Sequence, residues 1–426
     1  MNPLLIRKAV LTDPRHPDTG KTFDMLIRGG FIASMAPDLG PVSEANIQVI
    51  EANHALVSPG WMDIGVQTGD PGFEHREDLR SATNAAAAGG FTAIACYPNT
   101  NPAMHSKSQV HYLREAPKNN RVDCYAIGAI SQDCEGKDIT EMHDMQAAGA
   151  VAFSDGKKPV QHNGLMLRAL QYVKAFDGVV MNQPMDQTLS GSGQMHEGII
   201  STTLGLKGIP STAEELMLQR DIFLLEYTDS RLHVSNLTTA RSVEMVRQAK
   251  KQGLKISASV AVLNLIFDDS ALEDFNSNFK VMPPLRSRQD TLALLEGLLD
   301  GTIDVISSNH VPLDEESKKL EFPYAGFGAI GLQTAYAALN TYLGNKISAN
   351  LWVEKIALNP RRILGLEQPE IKEGAVANLT VFDPEKSWIF EDAVNRSKSK
   401  NTPFPNAAFK GSVLATVNKE LFFNQL

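Results

Sequence analysis

Chemistry in an α/β chain collects where its apolar runs end in polar residues. Here those ends are Gly65 and Gln67, Asn99, Asp155, Gln183, Asn236 and Asn309. Nearly all are carboxamides. A carboxamide offers a neutral carbonyl oxygen and two N–H donors, and it does not titrate. It is a poor ligand for Zn²⁺, which takes imidazole, thiolate or carboxylate, and it cannot act as a general base. Asp155 is the one carboxylate of the set. The stretch GWMDIGVQTGDPGFEHREDL (60–79) shows the problem in small. A buried strand runs into a Gly- and Pro-rich loop and an acidic helix start. Yet Gly65, Gln67 and Gly69 cannot hold a metal tightly, carry a proton at neutral pH or grip an anion.

Few other residues offer chemistry. His310 follows Asn309 directly, and with Asp155 it could contribute to a rebuilt metal site. His233 lies inside the sixth run and reads as a buried, hydrogen-bonded core histidine. His162 reads as a surface residue and His75 as a structural contact at a helix start. Cys96, Cys124 and Cys134 are odd in number and lack CxxC spacing, so reduced thiols in a cytoplasmic protein are expected. The Gly- and Ser-rich segment 189–210 reads as an ordinary long loop, with no catalysis for it to gate. The charged segment 311–324 reads as a solvated face and a candidate docking surface. SKSKNTPF reads as packing.

The elements that must position these residues follow one plan from about residue 55. The runs ALVSPGWMDIGV (55–66), FTAIACYP (91–98), VDCYAIGAI (122–130), AVAFSD (150–155), GVVMNQ (178–183), RLHVSNL (231–237), KISASV (255–260) and IDVISSN (303–309) alternate with helical patterns. Ser211 and Glu214 fit a capping box, and Gly90, Gly149, Gly253 and Gly301 follow helical runs as C-caps do. Strands apolar on both faces, alternating with helices, predict a parallel sheet. Eight such units predict a (β/α)8 barrel over residues 55–359. No GxGxxG opens the first unit, which counts against a doubly wound sheet. Residues 1–54 and 360–426 carry short alternating strands, too few at either end for a core, and are expected to meet as one composite β-sandwich.

The chain has 426 residues, 43% hydrophobic and 21% charged, with a net charge of −9. That composition is ordinary for a globular protein. The acidic balance argues against nucleic-acid and membrane-surface roles, which need a basic patch. There is no signal-peptide layout at the N-terminus and no apolar stretch of 18 residues.

DPGFEHREDLRSATNAAAAGGFTAIACYPNTNPA, FKVMPPLRSRQDTLALLEGLLDGTIDVI, FGAIGLQTA, LNPRRILGL and SKNTPF are specific stretches in series. Through them the chain resembles a dihydroorotase of the cyclic amidohydrolase family over nearly its whole length. The resemblance implies a metal-dependent-hydrolase barrel with a β-sandwich built from both chain ends, and one or two zinc ions that open or close the ring of dihydroorotate. Carried over position by position, the family's ligands are largely replaced. Its HxH pair falls on Gly65 and Gln67, its later histidines on Gln183 and Asn236, and its catalytic aspartate on Asn309. Asp155 keeps the bridging carboxylate, while the second acid beside it falls on Gly156. The arginine that would hold the substrate carboxylate falls on Gly69. Of two substrate-contacting asparagines, Asn99 is kept and the other is Met282.

No catalytic residue and no bound metal are therefore expected. The resemblance implies a pseudoenzyme of pyrimidine biosynthesis that acts as a structural or regulatory partner of aspartate carbamoyltransferase and is itself a homodimer. Two alternatives stand beside it. One is an active cyclic amidohydrolase with a rebuilt metal site. The other is a non-catalytic small-molecule binder.

Overall fold

The computed structural model describes residues 2–116 and 121–424. The N-terminal segment gives strands β1 (Leu4–Leu11), β2 (Thr22–Arg28), β3 (Phe31–Ala36), β4 (Gln48–Glu51) and β5 (Leu56–Pro59). The eight-unit region gives β6 (Trp61–Val66), β7 (Phe91–Cys96), β8 (Asp123–Gly128), β9 (Ala150–Phe153) and β10 (Val180–Asn182). A two-residue ribbon, β11 (Met195–His196) with β12 (Gly208–Ile209), lies inside the long loop. Then come β13 (Leu232–Val234), β14 (Ile256–Ala261) and β15 (Val305–Ser307), and the C-terminal β16 (Asn378–Phe390), β17 (Ala407–Asn418) and β18 (Leu421–Asn424).

β6 to β10 and β13 to β15 form one sheet, paired in chain order and parallel throughout. Its ends meet: the Gln67 N–H donates to the His310 carbonyl at 3.1 Å, and the Ser308 N–H reaches the Asp63 carboxylate at 3.1 Å. The alternation of side chains explains why these strands read as unbroken apolar runs. Met62, Ile64, Ala93 and Ala95 fill the barrel interior with Ile127, Ala152, Met181 and Val305. Their neighbours Trp61, Phe91, Ile94 and Cys96 face the surrounding helices.

The run 55–66, expected as one strand, is two. β5 pairs with β1 and β16, and only after Gly60 does the chain enter the barrel as β6. Hydropathy shows the same buried run on both sides of that step, so no pattern marks it. Both chain ends do share one sheet, ordered β18-β17-β16-β5-β1-β2-β3 with β4 beside β1. Leu4, Ile6 and Ile27 pack there against Leu379, Val381 and Val417. This β-rich domain is fastened to the barrel by Trp61, whose ring lies 5.1 to 5.3 Å from those of Phe382, Tyr336 and Trp352.

The capping box expected at Ser211 and Glu214 does not form. Ser211 makes no side-chain cap, and Glu214 turns inward. Its carboxylate accepts the N–H groups of Thr238 (3.0 Å) and Thr239 (3.2 Å), at the start of the next helix, Ala240–Lys251. Glu214 is buried, and a buried carboxylate goes where several donors converge. Gly149 ends its helix in the left-handed conformation, as its position predicts.

Candidate functional site

The C-terminal strand ends of the barrel converge on a lysine. Lys157 follows β9, and its Nζ donates to Asn309 Oδ1 at 2.5 Å and Gln183 Oε1 at 3.3 Å. It also stands 5.5 Å from the centre of the Tyr97 ring. The carboxamides are oriented to receive it. Ser307 Oγ donates to Asn236 Oδ1 (2.7 Å), Asn236 Nδ2 to Asn309 Oδ1 (3.3 Å), and Asn309 Nδ2 to the Met282 carbonyl (3.3 Å). That relay leaves the oxygen of Asn309 facing Lys157. Asn236 and Asn309 both adopt left-handed backbone, which asparagine tolerates better than most residues. Lys157 as a whole is half-buried, its ammonium bonds only to neutral groups, and loss of hydration there pushes its pKa down to about 7, with Asp63 acting in the opposite sense.

The acids of the mouth turn away from this cation. Asp155 Oδ1 accepts the N–H groups of Ile130 and Ser131, both at 2.9 Å, and Oδ2 accepts Ser131 Oγ at 2.5 Å. The donors are backbone amides and a hydroxyl of the preceding loop, and burial outweighs them in raising the Asp155 pKa. Asp63 bonds to Ser308 and the Ile64 N–H, and burial raises its pKa to about 6. His310 does not join Asp155. Its Nδ1 accepts the N–H groups of Gly331 (3.2 Å) and Leu332 (3.4 Å), so its proton sits on Nε2, 3.4 Å from Glu77 Oε2. Glu77 in turn holds the Ser397 hydroxyl and the Lys398 N–H, which docks the SKSKNTPF segment as packing. The alternative of a metal site rebuilt from Asp155 and His310 finds the two side chains apart. Each serves a separate backbone network because both are buried and need partners there.

The three glycines of the mouth have no room for longer side chains. A Cβ on Gly65 would lie 2.7 Å from the Tyr97 hydroxyl. On Gly69 it would lie 2.6 Å from the Glu77 carbonyl, and on Gly156 2.0 Å from Asn99 Oδ1. Asn99 is not free for a ligand: Nδ2 donates to the Asp155 carbonyl and Oδ1 accepts the Lys157 N–H, both at 2.9 Å. It clamps the turn that aims Lys157. Gln67 is half-buried, and its backbone closes the barrel. Met185 and Met282 form an apolar flank with Ile209 and Phe327.

Sequence reasoning missed Lys157 and Tyr97. The available signal was a lysine two residues beyond Asp155 in a mouth whose other strand ends are neutral acceptors. Two further lysines repeat the device. Lys280 Nζ donates to Gln194 Oε1 (2.5 Å) and the Phe322 carbonyl (2.6 Å), and Lys318 Nζ to the carbonyls of Gly326 (2.9 Å) and Gly328 (3.0 Å). They tie down the segments 189–210 and 311–324. Burial lowers their pKa values to about 8 and about 7. His233 is a buried core histidine as expected, bonded to Ser257 Oγ at 2.9 Å, and burial lowers its pKa to about 3. His162 is exposed and accepts the Leu165 N–H, and His75 is exposed near Asp314. Among the described residues no group of three or more His, Cys, Asp or Glu could hold a metal ion. A cleft of about 1250 Å³ lies at the opposite end of the barrel, where Lys419 pairs with Asp123 and Arg231 with Asp177. It has none of the strand-end chemistry.

The fold is shared with two hydantoinases of known structure. An L-hydantoinase (dihydropyrimidinase) from Arthrobacter aurescens superposes with a TM-score of 0.87 at 23% identity, covering 99% of this chain and 96% of that one. A D-hydantoinase superposes at 0.81 with 21% identity, covering 99% and 95%. Sequence narrows this. The Dihydro-orotase-like family model matches residues 54–242. The dihydroorotase of Pelotomaculum thermopropionicum is 42% identical over 97% of this chain and 96% of its own length. That of Acetivibrio thermocellus is 40% identical over 97% of both. The chain belongs to the dihydroorotase family. No helix of the described residues is long and apolar enough to cross a membrane.

Proposed function

We propose that this dihydroorotase-like protein of pyrimidine biosynthesis is catalytically silent and acts as a structural or regulatory partner of aspartate carbamoyltransferase. The observation that carries the reading is Lys157, whose ammonium takes the oxygens of Asn309 and Gln183 at the centre of the mouth. Zinc is general in the family, and its work is to bring the pKa of a bound water to about 7 from about 15.7. The residues present do not fit it. Carboxamides replace the imidazoles, Asp155 is committed to backbone donors, and Tyr97 stands where a side chain on Gly65 would go. A divalent ion placed about 4 Å from the ammonium would meet repulsion on the order of 8 kcal/mol at an effective dielectric constant near 20. With Asn309 in the aspartate position, the family's proton carrier for a leaving nitrogen is missing as well. An intact scaffold without this machinery supports a role through assembly, as a homodimer that binds the carbamoyltransferase.

The test has two parts. Purified chain is analysed for zinc and assayed for dihydroorotate turnover; stoichiometric zinc with turnover refutes silence. The chain is then co-expressed with the aspartate carbamoyltransferase of its own source. A stable complex, or changed carbamoyltransferase activity on mixing, is the expected outcome, and neither refutes the partnership.

A further inference from the structure

We propose that the barrel mouth is a receptor for a small oxyanion, a carboxylate or phosphate group, held by the ammonium of Lys157 where a cation would otherwise sit. The first ground is charge. Among the described residues, the groups hydrogen-bonded to Lys157 Nζ, Asn309 Oδ1 and Gln183 Oε1, are neutral, and so is the Tyr97 ring 5.5 Å away. The nearby carboxylates of Asp155, Asp63 and Glu77 are each engaged with other donors. The ammonium of a half-buried lysine whose direct partners are all neutral gains from an entering anion more than an exposed one does, because little water is left to screen the pair.

The second ground is a set of buried polar atoms without partners. Gln183 Nε2 makes no hydrogen bond although its own Oε1 is bonded to Lys157, so an idle N–H donor group stands beside the cation. Gln183 is 1% exposed. The hydroxyl of Thr68, just after β6, is also buried and unpartnered. Unsatisfied donors are costly in a folded chain, and the idle Gln183 N–H group beside the Lys157 ammonium is one that a ligand can supply with an acceptor. An oxyanion with one oxygen on Lys157 Nζ and another on Gln183 Nε2 satisfies both. The inference shares the seating of Lys157 with the reading above but does not depend on the absence of turnover or on a protein partner.

The test uses the full chain, stripped of metal with chelator. It is titrated with sodium phosphate and separately with malonate, against sodium chloride at matched ionic strength, by calorimetry and thermal unfolding. Saturable binding of either anion at one site, weakened about tenfold or more in Lys157→Met, is expected. The stronger of the two identifies the ligand's source. A response no greater than that to chloride, or equal binding by Lys157→Met, overturns the proposal. Reductive methylation of the wild-type chain, read by peptide mass spectrometry, covers the case of a variant that fails to fold. Phosphate or malonate is expected to slow labelling of Lys157 but not of an exposed lysine such as Lys319, and no selective protection overturns the proposal. Dihydroorotate turnover bears on the silent-scaffold reading alone, since these titrations are metal-free.

Discussion

Replacing Lys157 with methionine keeps the length and apolar stem of the side chain and deletes its charge, which makes its effect on stability calculable. Lowering the pKa from 10.5 to about 7 costs the folded state up to about 5 kcal/mol at 1.36 kcal/mol per unit while the amine is charged. At pH 7 the variant, which has no amine to desolvate, is therefore expected to be more stable than wild type by up to about 4 kcal/mol. The signature lies in the pH dependence. The folded pKa is depressed, so between about pH 7 and 10.4 the unfolded chain holds the proton that the folded chain has released. Stability then rises with pH, by at most about 1.36 kcal/mol per unit for this group. Wild type should gain on Lys157→Met by about 3 kcal/mol between pH 7 and 9.5. Urea unfolding of both proteins at half-unit steps across that window measures it. Parallel curves would refute the account of Lys157 as a desolvated cation in the mouth.

Gly65→His does not restore a metal ligand: strain at φ +86° and the clash with Tyr97 should cost about 2–4 kcal/mol, seen as a lowered Tm with no zinc retained after dialysis. Asp155→Ala should destabilise by roughly 2–4 kcal/mol through the orphaned Ile130 and Ser131 N–H groups, with metal content unchanged; a loss of bound zinc would show that the carboxylate serves a metal instead. His233, neutral until about pH 3 when folded and about pH 6.5 when unfolded, loses stability on acidification, because the unfolded chain takes the proton first. Wild type should lose about 2 kcal/mol more than His233→Gln between pH 6.5 and 5 in urea unfolding, and equal losses would contradict its burial as a neutral ring.

The alternation of apolar runs with helical patterns fixed the barrel from the chain alone, because strands buried on both faces must be apolar throughout and the helices between them leave only a parallel arrangement. The residue types at Gly65, Gln67, Gln183, Asn236 and Asn309 likewise settled which donors could stand at the mouth, since the number and kind of donor atoms are covalent facts. Tertiary structure decided where those atoms point. Nothing in a carboxamide's identity says that Asn309 turns its oxygen inward; the relay from Ser307 through Asn236 does that, across strands far apart in the chain. Asp155 is a ligand candidate in sequence and a loop brace in space, because two backbone amides 24 and 25 residues earlier reach it first. Lys157, one of the chain's 40 basic residues, becomes singular only when the barrel closes and its ammonium loses water without meeting a carboxylate. Desolvation is a property of the assembled neighbourhood, and it is the term that sequence cannot carry.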